Sequence, residues 1–221
     1  MKDKGDGTMS LKFSFDQGAK ALEWMSQNGV RVVVTAFNSK NGAGSRMLMD
    51  KAESLGMIVF AGAPNTVGAG KVYPAADPRA VSVLDSSPDM PMDKDPSLRT
   101  WISFGMDGTF ISGSRENRAR EVGSSYASAK AAGYVAYVVS RMPQAPRSMI
   151  VEIMMKSAQR SGKHEGFSII GEKAADEALM ATVASSVNAP DAMKNTIVAS
   201  RGPSENAIEI AAASKMPGAS R

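Results

Sequence analysis

The feature that most constrains this chain is an alternation of strand, helix and strand between residues 30 and 61. Residues 30–37 are dominated by valine and are apolar at successive positions, the pattern of a strand buried on both faces of a parallel sheet. Residues 45–55 switch to helical spacing through Leu48, Ala52 and Leu55 and stop at Gly56, and residues 57–61 return to an apolar strand. A crossover between parallel strands is right-handed almost without exception, so helices must cover the faces of the sheet. The expected fold class is therefore α/β, in layers, with a mainly parallel sheet flanked by helices.

The remaining elements follow from the same patterns. A helix is expected over residues 15–28, with Asp16 as N-cap and Gly29 as its stop, and a third strand over 80–84. Residues 85–97, crowded with Pro, Asp and Ser, read as a surface loop, and 101–104 and 109–111 as short strands. Helices are expected over 124–141, 149–158 and 172–180, and the Ala-, Ser-, Pro- and Gly-rich residues 181–221 read as a flexible tail. The expected organisation is an extension (1–14), one domain (15–180) and the tail (181–221). A chain of 221 residues, 43% apolar, is long enough to bury one such core.

Charge excludes some functions. The net +4 comes from 26 basic and 22 acidic residues that are interspersed, and the stretch Arg115, Arg118, Arg120 is broken by Glu116 and Glu121 without an aromatic residue for base stacking. Nucleic acid is not an expected partner, and those arginines read as a solvated loop. No apolar run is long enough to span a bilayer, and residues 2–8 are charged where a signal peptide needs an apolar stretch, so an intracellular location is expected. No cysteine is present, which excludes disulfides and thiolate metal sites. One histidine, His164, and scattered carboxylates offer no ligand cluster, so neither a metal nor a cofactor is expected.

The turn Gly123-Ser124-Ser125-Tyr126-Ala127 stands directly before an apolar helix containing Ala131, Ala132, Val135, Val138 and Val139. A hydroxyl there can act as a nucleophile, because a helix N-terminus presents free N–H groups and a positive dipole end to a developing oxyanion. It can equally be a simple N-cap, a role serine favours.

The order of further motifs separates these readings. Gly123 to Gly133 (Gly-Ser-Ser-Tyr-Ala-Ser-Ala-Lys-Ala-Ala-Gly) resembles the Gly-Thr-Ser-Met-Ala-x-Pro-His-Val-Ala-Gly block of the subtilisin-like serine proteases, the subtilases. Ile58-Val59-Phe60-Ala61-Gly62-Ala63-Pro64-Asn65 is similar to that family's strand ending in Ala-Ala-Gly-Asn. Tyr73-Pro74-Ala75, Ile102-Ser103-Phe104-Gly105 with Asp107 and Ser112-Gly113, and Leu22-Glu23-Trp24 through Val30-Arg31-Val32-Val33-Val34 match further blocks in the same order. Beyond Ser125, Tyr137 to Arg141, Ile150 to Ala158 and Gly166-Phe167 resemble its closing helices and final strand.

The resemblance implies a three-layer subtilisin-like fold, truncated on its N-terminal side, in which Ser125 corresponds to the nucleophile and Asn65 to the oxyanion donor. Ala36, Phe37, Asn38, Gly62 and Ala63 correspond to substrate-binding positions, with Asn38 in place of a glycine and partly blocking the pocket. The blocks that carry the family's Asp and His are absent, His164 is expected on the surface beyond the closing helices, and Asp16 and Asp107 lack a histidine to orient. Pro64, Ala129 and Lys130 replace a Gly, a Pro and a His of the family pattern. The expected partners are a peptide or protein substrate and a second polypeptide that pairs with the incomplete sheet and supplies Asp and His, Val32, Val34, Ile58 and Phe60 being left uncovered without it. The alternative is a pseudoprotease kept as an interaction or structural subunit.

Overall fold

Along residues 58–61, a strand buried at every position, the side chains alternate: Ile58 and Phe60 enter one apolar cluster, Val59 and Ala61 another. A pleated strand sends successive side chains to opposite faces, so a strand apolar at every position must be covered on both sides. The computed structural model describes residues 2–3, 9–10, 14–90, 96–113, 118–157, 159–160, 168–170 and 181. In chain order these form β1 (Lys2–Asp3), β2 (Met9–Ser10), α1 (Phe15–Gln27), β3 (Val32–Thr35), α2 (Gly42–Ser54), β4 (Ile58–Gly62) and β5 (Val81–Asp85). There follow a 3-10 helix (Pro96–Thr100), β6 (Phe104–Met106), β7 (Phe110–Ser112), β8 (Ala119–Glu121), α3 (Ser124–Arg141), α4 (Arg147–Ser157), β9 (Gln159–Arg160) and β10 (Ser168–Ile170).

The main sheet has six strands in the order β3-β4-β5-β6-β10-β9. All neighbours are parallel except β9, which pairs antiparallel with β10. One face packs on α3 and α4 through Ile58, Phe60, Val81, Val83, Phe104 and Met106, which meet Ala127, Ala131, Val135, Val138, Ile150 and Met154. The other face packs on α1 and α2 through Val33, Val59 and Ala61 against Leu22, Leu48, Met49 and Ala52. This is the three-layer α/β arrangement expected from the sequence. Alanine on the inner stripe of α3 lets its backbone lie close over the sheet, which places the first turn of the helix against the strand ends.

Several boundaries differ from expectation for identifiable reasons. α1 is capped by Ser14, whose hydroxyl accepts from Gln17 N–H at 3.4 Å, while Asp16 lies in the first turn. α2 begins three residues early, because Asn41 supplies the cap through Oδ1 to Gly44 N–H at 3.0 Å. Residues 85–97 are not all surface loop: Asp85 is the last residue of β5, and both it and Ser87 are buried. The arginine stretch contributes β8, paired antiparallel with β7 in an exposed hairpin that has no apolar alternation to announce it. The expected helix 172–180 lies outside the described residues, as does the tail 181–221 beyond residue 181.

β3 ends the sheet on one side, with Val34 exposed by 39% and Val32 half-buried. Ile58 and Phe60, expected to be uncovered as well, are 0% and 1% exposed. β4 lies between β3 and β5, and α3 covers that face of it, so among the described residues only β3 stands at this edge.

Because Ala131 is fully buried beneath α3, enlarging it must push the helix off the sheet. Ala131→Leu should destabilise the fold by about 1–3 kcal/mol, read as a lowered urea midpoint at unchanged m-value.

Candidate active site

Neither serine of the Gly123-Ser124-Ser125 turn caps the helix it begins. The N-cap is Gly123, which has no side chain to bond the free N–H groups of α3. The cap comes from the end of a strand beneath the helix: Asn65, three residues beyond β4, accepts from Ser124 N–H through Oδ1 at 2.9 Å. The Ser124 hydroxyl is itself committed, accepting from Asp85 N–H at the end of β5 at 3.0 Å. Tyr126 N–H and Ala127 N–H both donate to the Gly123 carbonyl, at 3.0 and 3.1 Å. Among the described residues this leaves the N–H of Ser125 as the open donor of the turn.

Two close approaches bring the parts together. Gly62, the last residue of β4, lies so near the turn that a Cβ there would be 3.1 Å from the Ser124 carbonyl carbon and 3.3 Å from Ser125 N. A Cβ on Gly123 would lie 3.2 Å from Asn65 Nδ2. With Oδ1 taken by an N–H donor, the amide must present Nδ2 as its remaining donor. Asn65 Nδ2 and Ser125 N–H therefore flank the same helix N-terminus, at the carboxyl ends of parallel strands where open α/β sheets place their sites. Ser125 is half-buried and Asn65 exposed, and the Ser125 carbonyl accepts from the Ser128 hydroxyl at 2.9 Å.

Under the turn lies Asp85, a residue that sequence reasoning missed because the following Ser-Ser-Pro reads as a loop. Its Oδ1 accepts from Ser87 N–H at 2.8 Å and Gly108 N–H at 2.9 Å. Beside the turn the β7–β8 hairpin is braced by Tyr126, whose ring stacks on Phe110 at a centroid distance of 5.3 Å. Tyr126 Oη donates to Glu121 at 2.6 Å, and the Ser112 hydroxyl donates to the same carboxylate at 2.8 Å. Those two bonds hold the Glu121 carboxyl below the usual range, and the Glu121 partner raises the Tyr126 phenol.

The other expected site residues divide. Ala36 and Asn38 are exposed and Phe37 is half-buried after β3, whereas Gly62 and Ala63 are buried. Ala63 packs with Leu84 and Leu98, so its side chain faces the core and only its backbone is left to meet a substrate. Asp107 is exposed and accepts from Thr109 N–H at 2.7 Å. Burial pushes its carboxyl up, but the Thr109 hydrogen bonds, aided by Lys130 and Arg120, leave it below the ordinary value. Asp16 starts α1, in the layer across the sheet from α3. His164 lies outside the described residues. Among those residues no cluster of three or more His, Cys, Asp or Glu side chains could hold a metal ion, and no helix is long and apolar enough to cross a membrane.

No family model matches the sequence, and no curated protein matches it. Solved structures do. Fervidolysin from Fervidobacterium pennivorans, a keratinolytic enzyme related to subtilisin, superimposes with a TM-score of 0.59 at 19% identity, over 74% of this chain and 29% of its own. The fold is subtilisin-like. The PatG macrocyclase, solved in complex with peptide, superimposes with a TM-score of 0.56 at 14% identity over 76% of this chain, and the prenylagaramide maturation protease PagA with 0.54 at 14% over 78%. This subtilisin-like chain spans 57% of the PatG chain and 70% of the PagA chain.

The glycines that permit these approaches are the sensitive positions. A Cβ on Gly108 would lie 2.4 Å from the Gly123 carbonyl oxygen, so Gly108→Ala must displace the turn. It should lower the unfolding free energy by about 1–3 kcal/mol in urea titration, with the largest amide chemical-shift changes at residues 123–127.

Proposed function

We propose that this chain is the serine-bearing part of a subtilisin-like serine endopeptidase and works on peptide or protein substrates by acyl-enzyme chemistry. The observation that carries the reading is the turn itself: two serines at a helix N-terminus, neither used as its cap, with the Ser125 N–H and Asn65 Nδ2 left as donors at that same helix start. Ser125 Oγ attacks the scissile carbonyl carbon and gives its proton to a base, while those two donors receive the charge that develops on the carbonyl oxygen. Collapse of the tetrahedral intermediate expels the amine and leaves an ester on Ser125, which water then cleaves with the same proton acceptor. The peptide bound in the PatG structure supports the substrate class.

The base and the carboxylate that orients it come from outside this sequence, on a segment or second polypeptide whose strand pairs with the β3 edge. Alone, the chain is inactive, because a serine hydroxyl without a base is a weak nucleophile. Ala36, Phe37 and Asn38, which continue from β3, form the segment that receives the substrate, and the Asn38 side chain narrows the pocket.

A second reading, a pseudoprotease serving as an interaction or structural subunit, is favoured by Pro64, Ala129 and Lys130 at positions where the family carries Gly, Pro and His. A fluorophosphonate probe separates the two. With Ser125→Ala as control, the chain alone should stay unlabelled and the chain in a lysate of its source should be labelled at Ser125. Absence of labelling in both settings favours the second reading, and labelling of the chain alone refutes the need for an outside base.

A further inference from the structure

Asp85 has no part in the assignments above, yet it reaches the Ser125 turn by two routes. It ends β5 and is 1% exposed. Its main-chain N–H donates to the Ser124 hydroxyl at 3.0 Å, which ties the strand end directly to the first residue of α3. Its carboxylate Oδ1 accepts from Gly108 N–H at 2.9 Å, and Gly108 is wedged between Asp85 and the turn. A Cβ on Gly108 would lie 2.4 Å from the Gly123 carbonyl oxygen and 2.8 Å from Asp85 Oδ2. That Gly123 carbonyl is the acceptor on which the first two hydrogen bonds of α3 converge.

The rest of the carboxylate is not satisfied. Among the described residues Asp85 Oδ2 is buried without a hydrogen-bond partner, and so is the Ser87 hydroxyl beside it. An orphaned buried oxygen is destabilising, because it has lost its water without gaining a partner. The offsetting gain lies in what Oδ1 does: it fixes the 107–109 loop against the Gly123 carbonyl.

We propose that Asp85 is a positioning residue for Ser125, holding the N-terminal turn of α3 so that the Ser125 N–H stays fixed beside Asn65 Nδ2. The inference rests on reading this turn as the nucleophile turn, but its test does not require hydrolysis. A thiol placed at a well-formed helix N-terminus titrates below an ordinary thiol, because the N–H groups and the dipole stabilise the thiolate. In the full chain carrying Ser125→Cys, the rate of iodoacetamide alkylation against pH therefore reports how well the turn is held.

Asp85→Ala and Asp85→Asn remove the same charge, but Asn keeps an oxygen acceptor for Ser87 and Gly108. The difference between them isolates geometry. The Ala variant should titrate about one pH unit above the Asn variant, roughly a tenfold change in thiolate fraction at a pH well below the midpoint. Leu48→Ala, in the opposite layer, should lower Tm and leave the midpoint of the Ser125→Cys thiol in place. Should Asp85→Ala fail to fold, Ser124→Ala cuts the first route without altering charge and should raise the midpoint. Coincident titration of the Ala and Asn variants, or an unmoved midpoint in Ser124→Ala, would overturn the proposal. Failure of the fluorophosphonate probe to label Ser125 would count against the nucleophile reading and leave the thiol comparison intact.

Discussion

The close approach between the end of β4 and the first turn of α3 is the constraint from which the rest of the structure follows. Gly62 allows the Ser124 backbone to come within about 3 Å of where a side chain would stand, and no larger residue leaves the helix in that place. The alanine stripe of α3 serves the same end, since it lets the helix axis descend onto β4, β5 and β6. Once the helix is seated, its first turn meets Asn65 from one strand end and Asp85 from the next. Side chains that lie far apart in sequence converge because parallel strands deliver all of their carboxyl ends to one rim of the sheet.

The chemistry then depends on how the free N–H groups of α3 are divided. A helix start leaves several donors unsatisfied, and most helices answer with a side chain of the N-cap residue. Here glycine occupies that position, so one donor is answered by Asn65 and two by the Gly123 carbonyl. The Ser125 N–H is left, next to an amide that has spent its oxygen and kept its Nδ2. On the proposed reading these two donors are the ones that would receive an oxyanion's charge, because preorganised donors stabilise it without reorganising during the reaction.

Layering and sheet direction were legible in the sequence, because strands buried on both faces are apolar at every position and the helix between them has a different period. The order of family-like motifs singled out Ser125 and Asn65, and the structure brings both to the start of α3; the Gly-Ser-Ser turn alone gave no means of telling a nucleophile turn from a cap. What could not be read were roles decided by distant partners. Asp85 looked like loop because Ser86, Ser87 and Pro88 follow it, and only the packing of Gly108 and Ser124 around it explains its burial. Ala63 was assigned to substrate by its place in a motif, whereas Leu84 and Leu98 claim its side chain. Likewise β8 is a strand through its pairing with β7 and not through any apolar pattern.

The hydrogen bond from Ser124 N–H to Asn65 Oδ1 is the element on which the site stands or falls, and amide hydrogen exchange reads it directly. In the wild-type chain the Ser124 amide should be protected nearly as well as the interior amides of β4, and Asn65→Ala should release it while β4 and the middle of α3 keep their protection. A Ser124 amide that exchanges in the wild-type chain as fast as an unprotected one would contradict the account, since the turn would then lack the cap that orients Asn65 beside Ser125.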